Sequence, residues 1–323
     1  MDFLAVGDTV VDEFITLKEA EVDHERSTIS MRWGEKIPYE SSTLVAGVGN
    51  AANAAVSAAR LGLSSGFLSN VGDDHFGTQI LDIFKSEGVT TDYIAVHDGI
   101  PTNHHYVLSY DSERTILIRH EAYPYRIPEG LVPPAWVYLS SVAAGAEAFH
   151  DELAEWLEKH PETKLVFQPG TFQIAAGKER LAKLYARAEV VAVNKGEAER
   201  ILGVADVAMQ DLLRQMHSLG PRMVLITDGP RGAYVYDGTD MLTVPMYPDP
   251  KPPVNRTGAG DATTSTFVVA LALGKPLAEA LAWGPVNAMS VVGHVGAQKG
   301  LLTRVALEKF LTEAPPEYRV TPL

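Results

Sequence analysis

Residues 3–6 are apolar and end at Gly7-Asp8, which predicts a buried strand feeding a loop. Over 27–45 the pattern changes. Ile29, Met31 and Trp33 alternate with polar residues, and Ile37 and Tyr39 do so around Pro38; this period of two predicts strands with one wet face. Residues 51–61 are alanine-rich and predict a helix stopped by Gly62, followed by a strand over 66–71 and a helix over 75–85 with Gly88 beyond it. A second alternating segment, Tyr106, Leu108 and Tyr110, a turn at Asp111-Ser112-Glu113, then Ile116 and Ile118, predicts a hairpin. Beyond it short apolar runs and helical stretches alternate regularly. Strands are expected at 136–139, 165–167, 190–193, 224–227 and 233–236, and helices at 147–158, 178–187, 196–202, 209–219, 259–273 and 277–294. This order implies a three-layer α/β fold with a mostly parallel sheet and ligands at the carboxyl ends of its strands. The two half-polar segments interrupt the series and read as one small sheet covering a site.

With 323 residues, 46% of them hydrophobic, the chain can bury a substantial core as one large α/β domain. Its 41 acidic and 27 basic side chains give a formal charge of −14, so its averaged field repels phosphate backbones and anionic lipid heads. Neither nucleic acid nor a membrane is expected as a partner. A local nest of backbone N–H groups can still bind phosphate against that charge. The absence of cysteine removes thiolate nucleophiles, cysteine metal sites and disulfides. The first residues lack a basic n-region and carry Asp8 and Asp12, so they read as a strand and not a signal peptide. No stretch approaches the roughly 20 apolar residues of a spanning helix. A cytoplasmic protein is expected.

The strongest chemical signal is Asn255-Arg256-Thr257-Gly258-Ala259-Gly260-Asp261, followed by the apolar run 267–271. Small residues admit a ligand close to the backbone, and free N–H groups at a helix start form an anion hole. Phosphoryl transfer needs such a hole and a carboxylate within reach of the attacking hydroxyl, a place Asp261 can fill. The plainer alternative is a tight turn with Asp261 as a helix cap. No Walker A loop is present, nor a histidine pair at helical spacing for zinc.

The 255–261 run resembles the C-terminal signature of the ribokinase-like (PfkB) carbohydrate kinase family. Val45-Ala46-Gly47-Val48-Gly49-Asn50-Ala51-Ala52-Asn53, continuing to Gly62, resembles its N-terminal signature. Gly72-Asp73-Asp74-His75-Phe76-Gly77, Asn194-Lys195-Gly196-Glu197 and Thr227-Asp228-Gly229 follow in the family's order, so the resemblance spans nearly the whole chain. It implies one ribokinase-like domain over 1–323, with a β lid formed by about 15–45 and 101–121. The implied activity is transfer of the ATP γ-phosphate to a hydroxyl of a small sugar or sugar-like acceptor, with Asp261 as base and Gly258, Ala259 and Gly260 as the anion hole. Asp12, Gly49 and Asn53 would hold the acceptor; Asn194 and Glu197 would position magnesium and phosphate, Thr227 and Gly229 would touch the nucleotide phosphates, and Asn287 would face the adenine. As simple local structure, Asn194 and Glu197 are also good capping chemistry. Relatives often pair their lids between subunits, so a homodimer is implied. His104 and His105 lie in the lid, where exposed strand histidines are the ordinary case.

Departures from the family pattern fall at Val48, where a glycine is usual, and at Thr263, Ser265 and Thr266, which are expected to alter helix packing. Where many relatives carry an aspartate that binds a monovalent cation, this chain has Asn255, a weaker ligand. Potassium dependence near Asn255 and Gly296 is therefore expected to be reduced. Three rival readings have specific discriminators. Gly47-x-Gly49-x-x-Ala52 also fits a dinucleotide fingerprint and a nicotinamide-dependent dehydrogenase, although the position of the ribose-binding acid carries Ser69-Asn70. A non-catalytic sugar-binding protein would be expected to lose Asp261 first. A nucleoside acceptor would need an aromatic pocket, which Trp33, Tyr39 and Tyr106 could supply.

Overall fold

The computed structural model describes residues 1–111, 113–254 and 256–323. Its first strand, β1 (Phe3–Val6), is buried at every position; Phe3 and Ala5 join one core, Leu4 and Val6 the other. A short apolar run without polar alternation is suited to a strand covered on both faces. The chain then forms β2 (Val10–Leu17), a small hairpin of β3 (Glu21–Asp23) and β4 (Thr28–Ser30), then β5 (Tyr39–Val48) and α1 (Asn50–Arg60). Next come β6 (Ser65–Gly72), α2 (His75–Ser86), β7 (Ile94–His97), β8 (His104–Tyr110) and β9 (Glu113–Leu117). The middle runs through β10 (Trp136–Leu139), α3 (Glu147–Lys159), β11 (Lys164–Phe167), α4 (Thr171–Ala176), α5 (Ala182–Arg187), β12 (Ala188–Asn194), α6 (Lys195–Leu202), α7 (Met209–His217) and β13 (Met223–Thr227). The last elements are β14 (Ala233–Tyr236), β15 (Met241–Val244), α8 (Ala259–Ala272), α9 (Leu277–Val292), α10 (Arg304–Thr312) and β16 (Thr321–Pro322).

Among the described residues the main sheet has the order β16-β15-β14-β13-β12-β11-β10-β1-β6-β7. Neighbours from β7 to β13 are parallel, and β14 to β16 are added antiparallel. One face is covered by α1, α2, α8, α9 and α10, the other by α3, α5, α6 and α7. The chain builds outward from β1 on both sides, towards β6 and towards β10. The crevice at the carboxyl ends of β1 and β10 is therefore a topological switch point, where ligands bind in sheets of this kind.

A second sheet, β5-β2-β8-β9, interrupts the series between β1 and β10 and forms the expected lid. It starts earlier than the sequence suggests, at Val10, and residues 31–38 are not part of any strand. The six residues from Tyr39 to Leu44 are all exposed, so this stretch lacks the single wet face that its alternation predicts. The described chain offers nothing to cover it. The predicted hairpin forms, with Ser112 of its turn outside the described residues. Over 178–187 only Ala182–Arg187 is helical, while β7, β15, β16, α4 and α10 were not anticipated.

Candidate active site

Five central strands end on polar residues at one edge of the sheet: Gly7-Asp8 after β1, Ser140 after β10, Gln168 after β11, Asn194 on β12 and Thr227 on β13. Two adjoining cavities open there, of about 390 and 480 Å3. Asp12, Gly49, Asn53, Gly258 and Asp261 line the first, and Gly229, Gly232, Ala233, Met246 and Ala288 line the second. Asn194, Thr227, Arg256 and Gly260 border both, so the two form one groove.

Asp261 lies in the first turn of α8, but it does not cap that helix. The N-cap is Gly258, with φ 82, and no side chain closes the helix start. A Cβ on Gly258 would lie 2.4 Å from the Cβ of Ala297, so both the backbone angle and the space demand glycine. The uncapped N–H groups and the helix dipole then make the turn a ready anion site. The Asp261 carboxylate is buried; its Oδ2 accepts from Asn53 Nδ2 at 2.9 Å and its Oδ1 from Gln168 Nε2 at 3.0 Å. Burial pushes its pKa above the usual carboxylate value, and the two amide bonds oppose that rise only in part. Each amide is itself held. Gln168 Oε1 accepts from the buried Tyr138 hydroxyl, while Asn53 Oδ1 accepts from Gln298 Nε2 at 3.1 Å, which also donates to Gly47 O at 2.7 Å. One Nδ2 hydrogen of Asn53 is left over after Asp261 is served.

Gly49 precedes α1 with φ 130, and a Cβ there would meet Asp8 O at 2.7 Å. The glycine thus lets the start of α1 approach the chain after β1. Because α1 follows the lid strand β5 and not a strand of the main sheet, the glycine pattern lacks the context of a dinucleotide fingerprint. Asp12 sits on β2 directly opposite His105 on β8, with Oδ1 3.3 Å from His105 Nδ1. His105 is not an exposed strand residue: its side chain is 13% exposed and its Nε2 lies 3.1 Å from His120 Nε2. His120 Nδ1 is 2.9 Å from Oδ2 of the buried Asp8, whose other oxygen accepts from the Tyr125 hydroxyl.

On the nucleotide side, Asn194 and Glu197 form the capping box that their spacing allows: Glu197 N donates to Asn194 Oδ1 and Asn194 N to Glu197 Oε2, each at 2.9 Å. Both also line the acceptor-side cavity, so capping and a ligand role coexist. Burial raises the Glu197 pKa, and the nearby Asp261 charge adds to the rise. A carboxylate in that condition gains from a cation, which fits magnesium arriving with a nucleotide. Among the described residues no group of three or more His, Cys, Asp or Glu forms a metal cage. Thr227 and Gly229 reach the second cavity as expected. Asn287 does not: it is fully buried, donates to Thr266 Oγ1 at 2.8 Å and accepts from Leu302 N at 2.8 Å. Its amide is consumed inside the core, and its neighbours Pro285, Ala288 and Val292 form the wall instead. Asn255 lies outside the described residues; Gly296 adjoins Ala297, which lines the acceptor-side cavity.

Sequence reasoning missed Gln168, Gln298, Asp8 and His120. The available signal for Gln168 was its place immediately after a buried apolar run, where a polar residue reaches the ligand edge.

The sequence profile of the pfkB family carbohydrate kinases matches residues 10–304. The chain is 30% identical over 287 residues to a ribokinase of Bacillus subtilis, covering 86% of this chain and 92% of the relative. It is 25% identical over 282 residues to a 5-dehydro-2-deoxygluconokinase of the same organism, covering 81% and 86%. The structure of Arabidopsis thaliana ribokinase complexed with ribose and ATP superposes with a TM-score of 0.82 at 22% identity, over 96% of this chain and 98% of that one. The chain therefore belongs to the pfkB family of carbohydrate kinases, phosphotransferases with an alcohol group as acceptor.

Proposed function

We propose that Asp261 is the general base of this kinase, and that the acceptor is a small sugar or sugar-like molecule phosphorylated by ATP. The carrying observation is the placement of Asp261, a buried carboxylate at an uncapped helix start, held by two amides and lying between the two halves of one groove. The acceptor occupies the half lined by Asp12, Gly49 and Asn53. Asp12 accepts from its hydroxyls and the spare Asn53 hydrogen donates to it. One hydroxyl gives its proton to Asp261 as its oxygen attacks the γ-phosphorus, and ADP leaves. The N–H groups of Gly258, Ala259 and Gly260 take the charge of the migrating phosphoryl group. Asn194, Thr227 and Gly229 border the nucleotide phosphates, and the wider half receives the adenine. Magnesium bound with ATP, reached by Glu197 through water, supplies charge neutralisation.

ATP and a sugar acceptor are supported by the related Arabidopsis ribokinase, solved with ribose and ATP. We further read residues 1–323 as one domain whose lid pairs with a second copy. Supporting this, β5 is an edge strand with Tyr39 and Leu44 exposed, and Trp33 beside it is 99% exposed.

The test is ADP release with magnesium, with and without potassium, from D-ribose, D-fructose, D-gluconate and cytidine. Asp261→Asn and Asp261→Ala should each lower turnover by about 10² or more while acceptor binding stays nearly intact. Turnover near wild type in both variants overturns the base assignment. A preference for cytidine over every sugar overturns the acceptor class.

A further inference from the structure

Four side chains in the acceptor cavity touch end to end: Asp12, His105, His120 and Asp8, at successive separations of 3.3, 3.1 and 2.9 Å. Asp12 and His105 stand on lid strands, His120 follows β9, and Asp8 follows β1, so the series runs from the lid to the main sheet. All four are largely buried, with side-chain exposures of 15%, 13%, 13% and 4%.

Two imidazole nitrogens facing each other at 3.1 Å need one proton between them. With none, two lone pairs meet; with two, two N–H groups meet. Each imidazole–carboxyl contact at the ends also needs one proton. The series therefore holds three protons in three contacts. The count does not depend on which partner carries the innermost proton: burial favours it on Asp8, and the facing His120 favours the ionised carboxylate. Two neutral imidazoles account for two of the three protons, so the four groups together carry one negative charge.

We propose that this proton-sharing series positions the acceptor: in its three-proton state it presents Asp12 as an ionised ligand for the hydroxyls of a neutral polyhydroxyl substrate and ties the lid to the sheet. The proposal deepens the kinase reading above and rests on it. The other charged groups facing the pair across the cavity are Arg114 on β9, Arg256, Glu197 and Asp261. His104 engages Glu13 at 3.5 Å, and Glu121 pairs with Arg119 at 2.8 Å. A neutral acceptor leaves the proton count alone, whereas the carboxylate of a sugar acid beside Asp12 adds a like charge. A fourth proton, or loss of the third, breaks one contact, so acceptor binding weakens on either side of the pH that holds three.

Two measurements test this. Long-range 1H–15N spectra of the histidine rings, recorded across pH on the acceptor-free protein, should show His105 and His120 titrating as one coupled pair, with His120→Gln changing the protonation of His105. Independent titration, unaffected by that substitution, overturns the proton-sharing series whatever the acceptor proves to be. Kinetics then use whichever of D-ribose, D-fructose and D-gluconate gives the fastest ADP release. His105→Leu should raise the acceptor KM about tenfold or more against a change in kcat of about threefold or less. His105→Gln should recover part of that loss but flatten the pH dependence of KM. A loss confined to kcat, or a preference for D-gluconate, overturns the positioning role or the neutral acceptor respectively. No ADP release from any of the three removes the sugar-kinase reading itself, while the ring spectra still decide the proton count.

Discussion

The two glycines of the α8 start make different demands, and substituting each with alanine separates stability from turnover. At Gly258 a Cβ would lie 2.4 Å from Ala297 Cβ and 2.7 Å from its Cα, with φ at 82. The left-handed backbone costs a non-glycine residue about 1–2 kcal/mol. Forcing the Ala297 loop aside costs a further 1–3 kcal/mol or so, as overpacking generally does. Gly258→Ala should therefore lose about 2–5 kcal/mol of a total stability on the order of 5–15 kcal/mol. At Gly260 nothing lies within 4 Å of the added carbon, and the residue is already helical. Gly260→Ala should thus be neutral or stabilising, by up to about 1 kcal/mol. The open space is the groove itself, because Gly260 borders both of its halves. A methyl group there stands where the migrating phosphoryl group must approach the backbone, and a misplacement of about 1 Å costs on the order of 10² in rate. Urea unfolding and steady-state ADP release, run on both variants, read the two effects. The reasoning fails if Gly260→Ala turns over like the wild type, or if it is destabilised as much as Gly258→Ala.

Two further outcomes follow from the site and the lid. Gln168→Leu removes one of the two bonds that favour the ionised form of Asp261, so its pKa, already raised by burial, should rise further. A base acts as the carboxylate and is lost as pH falls through its pKa, so the acid limb of the kcat–pH profile should move to higher pH; a limb that stays put or moves down contradicts the role given to Gln168. Trp33→Ser should change the unfolding free energy of the isolated chain by no more than about 0.5 kcal/mol, since the ring is almost fully exposed. Sedimentation at rising concentration should show weaker self-association, and an unchanged profile argues against pairing through the lid.

Much of the fold was legible because its signals are local. Doubly buried strands such as β1 and β10 appear as unbroken apolar runs, and α1 and α8 as small-residue helices behind glycine. The missed elements lack such signals: β7 alternates weakly at the sheet edge, and β16 has only two residues. The stretch over 31–38 shows the reverse error. Its alternation is real, yet no neighbouring strand is within reach to pair with it, and a period of two without a partner does not make a strand. The histidine pair was hidden for a third reason. His105 and His120 meet only because β8 and β9 fold back on each other, and Asp8 and Asp12 arrive from more than 90 residues away.

The choice between Asp261 as helix cap and as base turns on a comparison within the same molecule. Asp74 is a true N-cap: its carboxylate accepts from Gly77 N at 2.8 Å and from both the backbone and the hydroxyl of Thr102, at 2.8 and 2.7 Å. Burial alone would raise its pKa, but those bonds together hold it below the usual value, so Asp74 is a poor proton acceptor. Asp261 also sits at a helix start, yet it makes no capping bond and is held by two neutral side-chain amides. Amides fix the direction of the carboxylate without adding the full positive charge that an arginine or lysine would bring. Its proton affinity therefore stays raised. Orientation without loss of basicity is what a general base requires and a cap does not, and the neutral pair Asn53 and Gln168 is the feature that supplies it.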